Sequence, residues 1–252
     1  MNAITQAILK QSKLEVEHIK ITKATKDTFL MSIKSKLTKI GITTAHMSEM
    51  TVDMVGPGGV FGRLDIPPAK IGRTGADIII ADQVVQILDM TAFKAFVTSI
   101  MQDDELVLRL DNGHCTIKAL GRTASIVYAK DIPLKGLKSL KVNVIQTEPE
   151  DGGYKNTMLM VNSSPLEIDL GTVQYEVLDE DGAVIAKQKG SSYISRGESK
   201  ASVTGPITGK TSKSQVRFIG VDVDEDNWYK EIIKAVDITV GIPRESTAWR
   251  TS

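Results

Sequence analysis

A fourteen-residue stretch, Met50 to Arg63 (MTVDMVGPGGVFGR), returns without a gap 123 positions later as Val173 to Ala186 (VQYEVLDEDGAVIA). Each copy is an alternating apolar run, a turn and a second apolar run, which is how a β-hairpin is written. Met50, Val52 and Met54 keep phase with Val173, Tyr175 and Val177, and Gly59 falls on Gly182. A self-match at the spacing of one small domain predicts a tandem of two like β-domains. With 252 residues to divide, each copy has enough chain for its own core. The expected boundaries are 1–137 for a first domain with an N-terminal lead-in and 138–252 for a second with a C-terminal tail.

The first domain opens with residues 2–12, where Ile4 and Ile8 allow a short helix. Leu14, Val16, Ile19 and Ile21 predict a strand with a slip after Glu17, and Phe29, Met31 and Ile33 a second strand reaching Leu37. After the hairpin, Ala76–Ala81 reads as a buried strand. Phe93, Phe96, Val97, Ile100 and Met101 at helical spacing predict one helix, with Asp89 or Thr91 as its cap. Asn112-Gly113 predicts a hairpin turn, with Cys115, Ile117 and Ala119 on the return strand and Thr123–Tyr128 on another.

The second copy is expected to run Leu140–Val144, then a turn at Glu148–Tyr154, then Met158 and Met160 in the places of Phe29 and Met31. Trp228, Tyr229, Ile232, Ile233 and Val236 predict a helix matching the first in order along its domain. The segment after Pro243 reads as a loose tail.

Charge and cysteine content narrow the function classes. Lys and Arg number 31 against 31 Asp and Glu, so no global field draws the chain to nucleic acid or an anionic membrane. Cys115 is the only cysteine, which precludes an intrachain disulfide and favours a reducing compartment. No apolar run is long enough to span a bilayer and the first residues lack the pattern of a leader, so the sequence as given is expected to be soluble and cytoplasmic.

Several motifs suggest chemistry and then fail a test of context. Gly205-Pro206-Ile207-Thr208-Gly209-Lys210-Thr211 resembles a phosphate loop but is one residue short between its glycines and leads into a strand. Asp222, Asp224 and Asp226 have calcium-loop spacing, yet Asn227 stands where glycine is needed and Ile233 where the closing glutamate is needed. His18, His46 and His114 form no pair at ligand spacing. Cys115 beside His114 points to the opposite face of its strand and reads as a buried thiol. Asn162-Ser163-Ser164 is a formal glycosylation acceptor, but with Pro165 it reads as a strand break. Met47, Met50, Met54, Met158 and Met160 read as core filler. No catalytic, cofactor-binding or metal-ligating set emerges.

The runs DTFLMSIKSKL, MTVDMVGPGGVFGRLDIP, AFKAFVTSIMQDDELVLRLDNG and CTIKALG resemble a fungal domain-of-unknown-function family of vacuolar, AsmA-like repeat proteins. That family is similar to the late-embryogenesis-abundant (water-stress and hypersensitive response) β-sandwich. The resemblance covers about Leu14–Leu137 well and the second copy more loosely, where it rests on the repeat and on the break at Asn162–Pro165. It implies a mainly β protein of two tandem immunoglobulin-like sandwiches, each with one short helix. Related proteins are often held in the vacuolar membrane by an N-terminal helix; this sequence shows none, so vacuolar attachment would require that an anchor had been removed.

Two functions are expected from these readings. The first is a non-enzymatic, stress-associated or scaffolding protein, without cofactor, that binds a protein partner through strand edges and end loops. The alternative is a lipid or apolar-ligand carrier with Phe93, Phe96, Met101, Met158 and Met160 lining a groove between helix and sheet. A hydrolase would require acids, histidines or nucleophiles to converge on one pocket.

Overall fold

The computed structural model describes residues 13–38 and 44–250. The helix expected over residues 2–12 lies outside them. The chain is mainly β and divides into two compact units: 1–23, 27–99 and 105–135 in the first, and 24–26, 100–104 and 136–252 in the second.

The first unit contains β1 (Lys13–Thr22), β2 (Thr28–Thr38), β3 (Ala45–Met47), β4 (Met50–Gly56), β5 (Gly59–Ile66), β6 (Ala69–Ile71), β7 (Ala76–Gln86), helix α1 (Met90–Gln102) as far as Ser99, its last three residues belonging to the second unit, β8 (Glu105–Ala119) and β9 (Arg122–Lys135). β2 pairs with β1 and β7 in one antiparallel sheet. β4 pairs with β5 and β8, β9 takes the other edge of β8, and short β3 and β6 continue the sheet. Alternation turns one face of each strand inward: Phe29, Met31 and Leu37 of β2, Val52 and Met54 of β4, and Leu106, Leu108 and Leu110 of β8 are all buried.

The second unit contains β10 (Lys141–Glu150), β11 (Gly153–Asn162), β12 (Leu166–Leu178), β13 (Val184–Ile194), β14 (Gly197–Gly205), β15 (Gln215–Val223), helix α2 (Tyr229–Ile232) running into a 3-10 turn at Ile233–Ala235, and β16 (Asp237–Gly241). Its strands pair in the cyclic order β10-β11-β14-β13-β12-β15-β16 and back to β10. Closure comes from a parallel join, Val142 with Val240 and Asn143 with Gly241. The second unit is therefore a closed ring where a sandwich of two open sheets was expected, and closure removes its free edges.

The two hairpins share their ladder in detail. In the first, Met54 pairs with Gly62 and Val55 with Val60, leaving Phe61 as an extra residue. In the second, Val177 pairs with Ala186 and Leu178 with Val184, leaving Ile185. The same bulge thus sits at the same place, but the second turn is one residue longer, so the return arms match at an offset of 124. β1–β2 and β10–β11 also share a bulge, at Glu17 and Ile145. The slip read after Glu17 is this bulge.

Register corrects four readings. Met158 and Met160 take the ladder places of Ser35 and Leu37, not of Phe29 and Met31. The helices are not equivalent: α1 precedes β8, whereas α2 follows β15, the strand matching β8 in register. Asn112 lies with Asp111 in a bulge inside one continuous β8, and Gly113 pairs with Tyr128 at a place where a side chain would meet Val52 and Met50 within 3 Å. The hairpin turn is Leu120-Gly121, with φ of 50° and 71°. Finally, the tail is not loose. Trp249 is wholly buried, its carbonyl accepting the Thr211 N–H at 2.9 Å.

Candidate functional site

The first unit retains an opening that the second closes. β5 meets the residues just after β7 at the Gly62–Ile87 bridge, reinforced by the Leu88 N–H donating to the Phe61 carbonyl at 2.9 Å. Beyond that corner the two strands diverge. Gln83 of β7 reaches across the gap to the Asp65 backbone, and in the amide orientation that satisfies both groups it donates to the Asp65 carbonyl at 3.0 Å and accepts from the Asp65 N–H at 2.9 Å. A side chain here makes the two bonds a neighbouring strand would make.

Past Gln83 lies an open cleft of about 490 Å³. Met50, Ile66 and Ile80 form its buried floor, and Pro67, Pro68 and Ile79 its apolar wall. Ile79 is 59% exposed, an unusual position for a large apolar side chain on a strand face. Glu49 and Asp65 stand on the rim, the latter accepting the Thr51 hydroxyl at 2.6 Å. β7 from Ala76 to Ala81 has its ladder with β2 on one side only among the described residues. Pro67 and Pro68 lack N–H groups and end the pairing capacity of β5. The arrangement offers unpaired backbone beside apolar pockets, which is the chemistry that accepts an added strand.

The candidate lining residues fall in separate places. Phe93 stacks on Phe29 with centroids 5.3 Å apart, and Phe96 on Phe61 at 4.6 Å, so both rings are core of the first unit. Met158 and Met160 line a void of about 30 Å³ inside the second unit, room for about one water. A comparable void inside the first unit is also about 30 Å³. Met101 lines an open cleft of about 390 Å³ with Leu140, Ile194, Val236 and Ile238, all within the second unit.

The motifs resolve into structural roles. In the phosphate-like loop, the Thr208 and Gly209 N–H groups both donate to the Ile185 carbonyl, and Thr211 donates its hydroxyl to Glu180 at 2.5 Å. Thr211 and Ser212 hold the Glu180 carboxyl down to about 2, so an acid sits where an anion would bind. The calcium-like acids are spent separately: Asp222 accepts the Val223 N–H, Asp224 pairs with Lys189 at 2.5 Å and Asp226 with Lys26 at 2.8 Å. Among the described residues no group of three His, Cys, Asp or Glu could hold a metal ion.

Cys115 is buried, and desolvation raises its thiol above the ordinary range, while His114 lies exposed and bonds Asn112 at 3.1 Å. Asn162 is buried, its amide donating to the Leu166 and Ser195 carbonyls at 2.8 and 3.2 Å. That is a strand-break clasp, and it uses the nitrogen a glycan would need. Sequence reasoning missed the cleft because its signal, Gln83 facing Asp65 across two strands, is not local.

Residues 59–177 match a family model described as a protein of unknown function, DUF3712. No curated protein matches the sequence. Among solved structures, red sea bream transglutaminase is similar at 14% identity and TM-score 0.28, over 93% of this chain and 32% of that one. The CsuC–CsuE chaperone–tip adhesion subunit complex of Acinetobacter baumannii Csu pili is similar at 9% identity and TM-score 0.21, over 93% and 100%. The exo-β-D-glucosaminidase CsxA is similar at 12% identity and TM-score 0.26, over 89% and 26%. This chain thus spans about a third of the transglutaminase. No helix among the described residues is long and apolar enough to cross a membrane.

Proposed function

We propose that this chain, with its DUF3712 match across the middle, is a non-enzymatic binding module of the scaffolding or stress-associated kind that receives an extended partner segment in the β5–β7 cleft. The observation that supports this is the pair of strand edges that diverge past the Gly62–Ile87 bridge, with Gln83 facing Asp65 across them over an apolar floor. The acidic rim favours a segment alternating apolar and basic residues. Panning a random peptide library displayed on phage tests the idea. Alternating sequences that lose binding to Ile79→Arg, a substitution confined to the exposed wall, support it; the absence of enriched peptides, or binding indifferent to Ile79→Arg, overturns it.

We also read the two units as copies of one late-embryogenesis-like module. The shared bulges and pairing registers support this, as does the family match, which runs from the return strand of one hairpin to the rising strand of the next and is close to one repeat long. A vacuolar association belongs to the same reading.

An apolar-ligand role is favoured by a different observation, the cleft at Met101, whose volume of about 390 Å³ lies within the usual range for small-molecule sites, roughly 300–1,000 Å³. Solvent extraction of the purified protein followed by mass spectrometry is expected to yield a lipid near one per chain on this reading. A lipid-free extract would remove it.

A further inference from the structure

The turn Leu120-Gly121 holds a leucine at φ 50°, a left-handed conformation that suits glycine or asparagine and that bulky residues rarely adopt. Leu120 is also 82% exposed, the most exposed large apolar side chain described. An exposed leucine in a strained turn invites a functional reason.

Beside it the sheet is basic. His46 of β3 pairs directly with Lys70 of β6 on one side and Lys118 of β8 on the other, placing the three side chains in one exposed row. Thr123 of β9 continues that row, and Thr116 and Ser125 form a paired couple further along, so these positions carry no acid. Arg122 follows the turn. The acids Asp53, Asp111 and Asp131 stand at the other end of the sheet, where they hold Arg63 and Arg109.

We propose that this end of the first unit docks on an anionic lipid bilayer, with Leu120 entering the interface and Lys70, Lys118 and Arg122 meeting the headgroups. A net charge of zero does not oppose this, since surface attraction acts over about a Debye length and is set by the local charges. The leucine selects a bilayer over nucleic acid, because an aliphatic tip gains from hydrocarbon and has no ring to stack on bases.

Co-sedimentation with phosphatidylcholine vesicles, with and without phosphatidylserine, tests it. The wild-type chain is expected to sediment with the anionic vesicles and to be released by salt. Leu120→Asn should weaken partitioning about tenfold, the loss of one buried aliphatic side chain. Asparagine accepts the left-handed turn, so its melting temperature should be equal or higher, which separates lost docking from lost folding. Lys118→Glu should weaken partitioning by at least as much. Equal binding to both vesicle types, undiminished binding by Leu120→Asn, or displacement of the protein from vesicles by a polyuridine oligonucleotide would overturn the proposal.

Discussion

Replacing Trp249 with alanine is expected to destabilise the second unit by about 3–5 kcal/mol, the range for a large aromatic removed from a core. Trp249 is wholly enclosed, its ring 6.5 Å from that of Phe218. Its Nε1–H donates to Oδ1 of Asn156 at 3.0 Å, and Asn156 is itself wholly buried. That amide accepts the Thr147 hydroxyl at 2.8 Å and donates to Gln188, which donates in turn to the Gly205 carbonyl at 2.9 Å. Losing one bond from this chain costs about 0.5–1.5 kcal/mol, because Thr147 still satisfies Asn156, so the emptied ring volume is the larger effect. Trp249→Phe separates the two, with an expected loss nearer 1–2 kcal/mol since most of the volume stays. Urea denaturation measures both. A loss below about 1 kcal/mol for the alanine variant would mean that the tail is not seated as described.

Nothing local in the sequence marks Trp249 as core. It follows Pro243 in a stretch with no apolar period, and its partners Asn156 and Phe218 lie on strands far away in the chain. Periodicity reports which face of a regular element is apolar, and it is silent on a single residue delivered by a loop. The strands themselves were legible for the opposite reason. Phe29, Met31 and Ile33 alternate, and alternation alone turns them inward.

Asn112-Gly113 shows where local turn chemistry misleads. The pair has a hairpin's composition, and Asn112 does adopt φ 56°. Yet Asn112 lies in a bulge, and the glycine is required by the approach of Met50 and Val52 from the neighbouring strand. The phosphate-like loop is similar. It occupies, between β14 and β15, the chain position that α1 occupies between β7 and β8, and its amides bind the bulged residue Ile185. Its glycines answer to that contact: a side chain at Gly209 would meet Ile185 at 2.7 Å.

The bulge shared by the two hairpins is why Phe61→Ala is expected to be the most damaging change in the first unit, again by about 3–5 kcal/mol. The extra residue breaks alternation, so that Phe61 and Gly62 are both buried while Val60 remains 41% exposed. Phe61 thereby projects beneath α1, stacked on Phe96 at 4.6 Å and tilted against Phe93 at 5.8 Å. The turn before it closes the same contact from the other side. A side chain at Gly58 would meet the Ala92 backbone at 2.7 Å, so the turn must stay bare where the helix begins, beside the cap in which Asp89 accepts the Ala92 N–H at 2.9 Å. Removing the Phe61 ring takes the floor from beneath both helix phenylalanines. Amide exchange in Met90–Gln102 should then accelerate more than exchange in β8, since both phenylalanines of the helix rest on the Phe61 ring. Val60→Ala, one position earlier and on the solvent face, should change stability by no more than about 0.5 kcal/mol. Similar losses from the two substitutions would refute the bulge as the feature that aims Phe61 inward, whereas a large gap between adjacent residues follows from it directly.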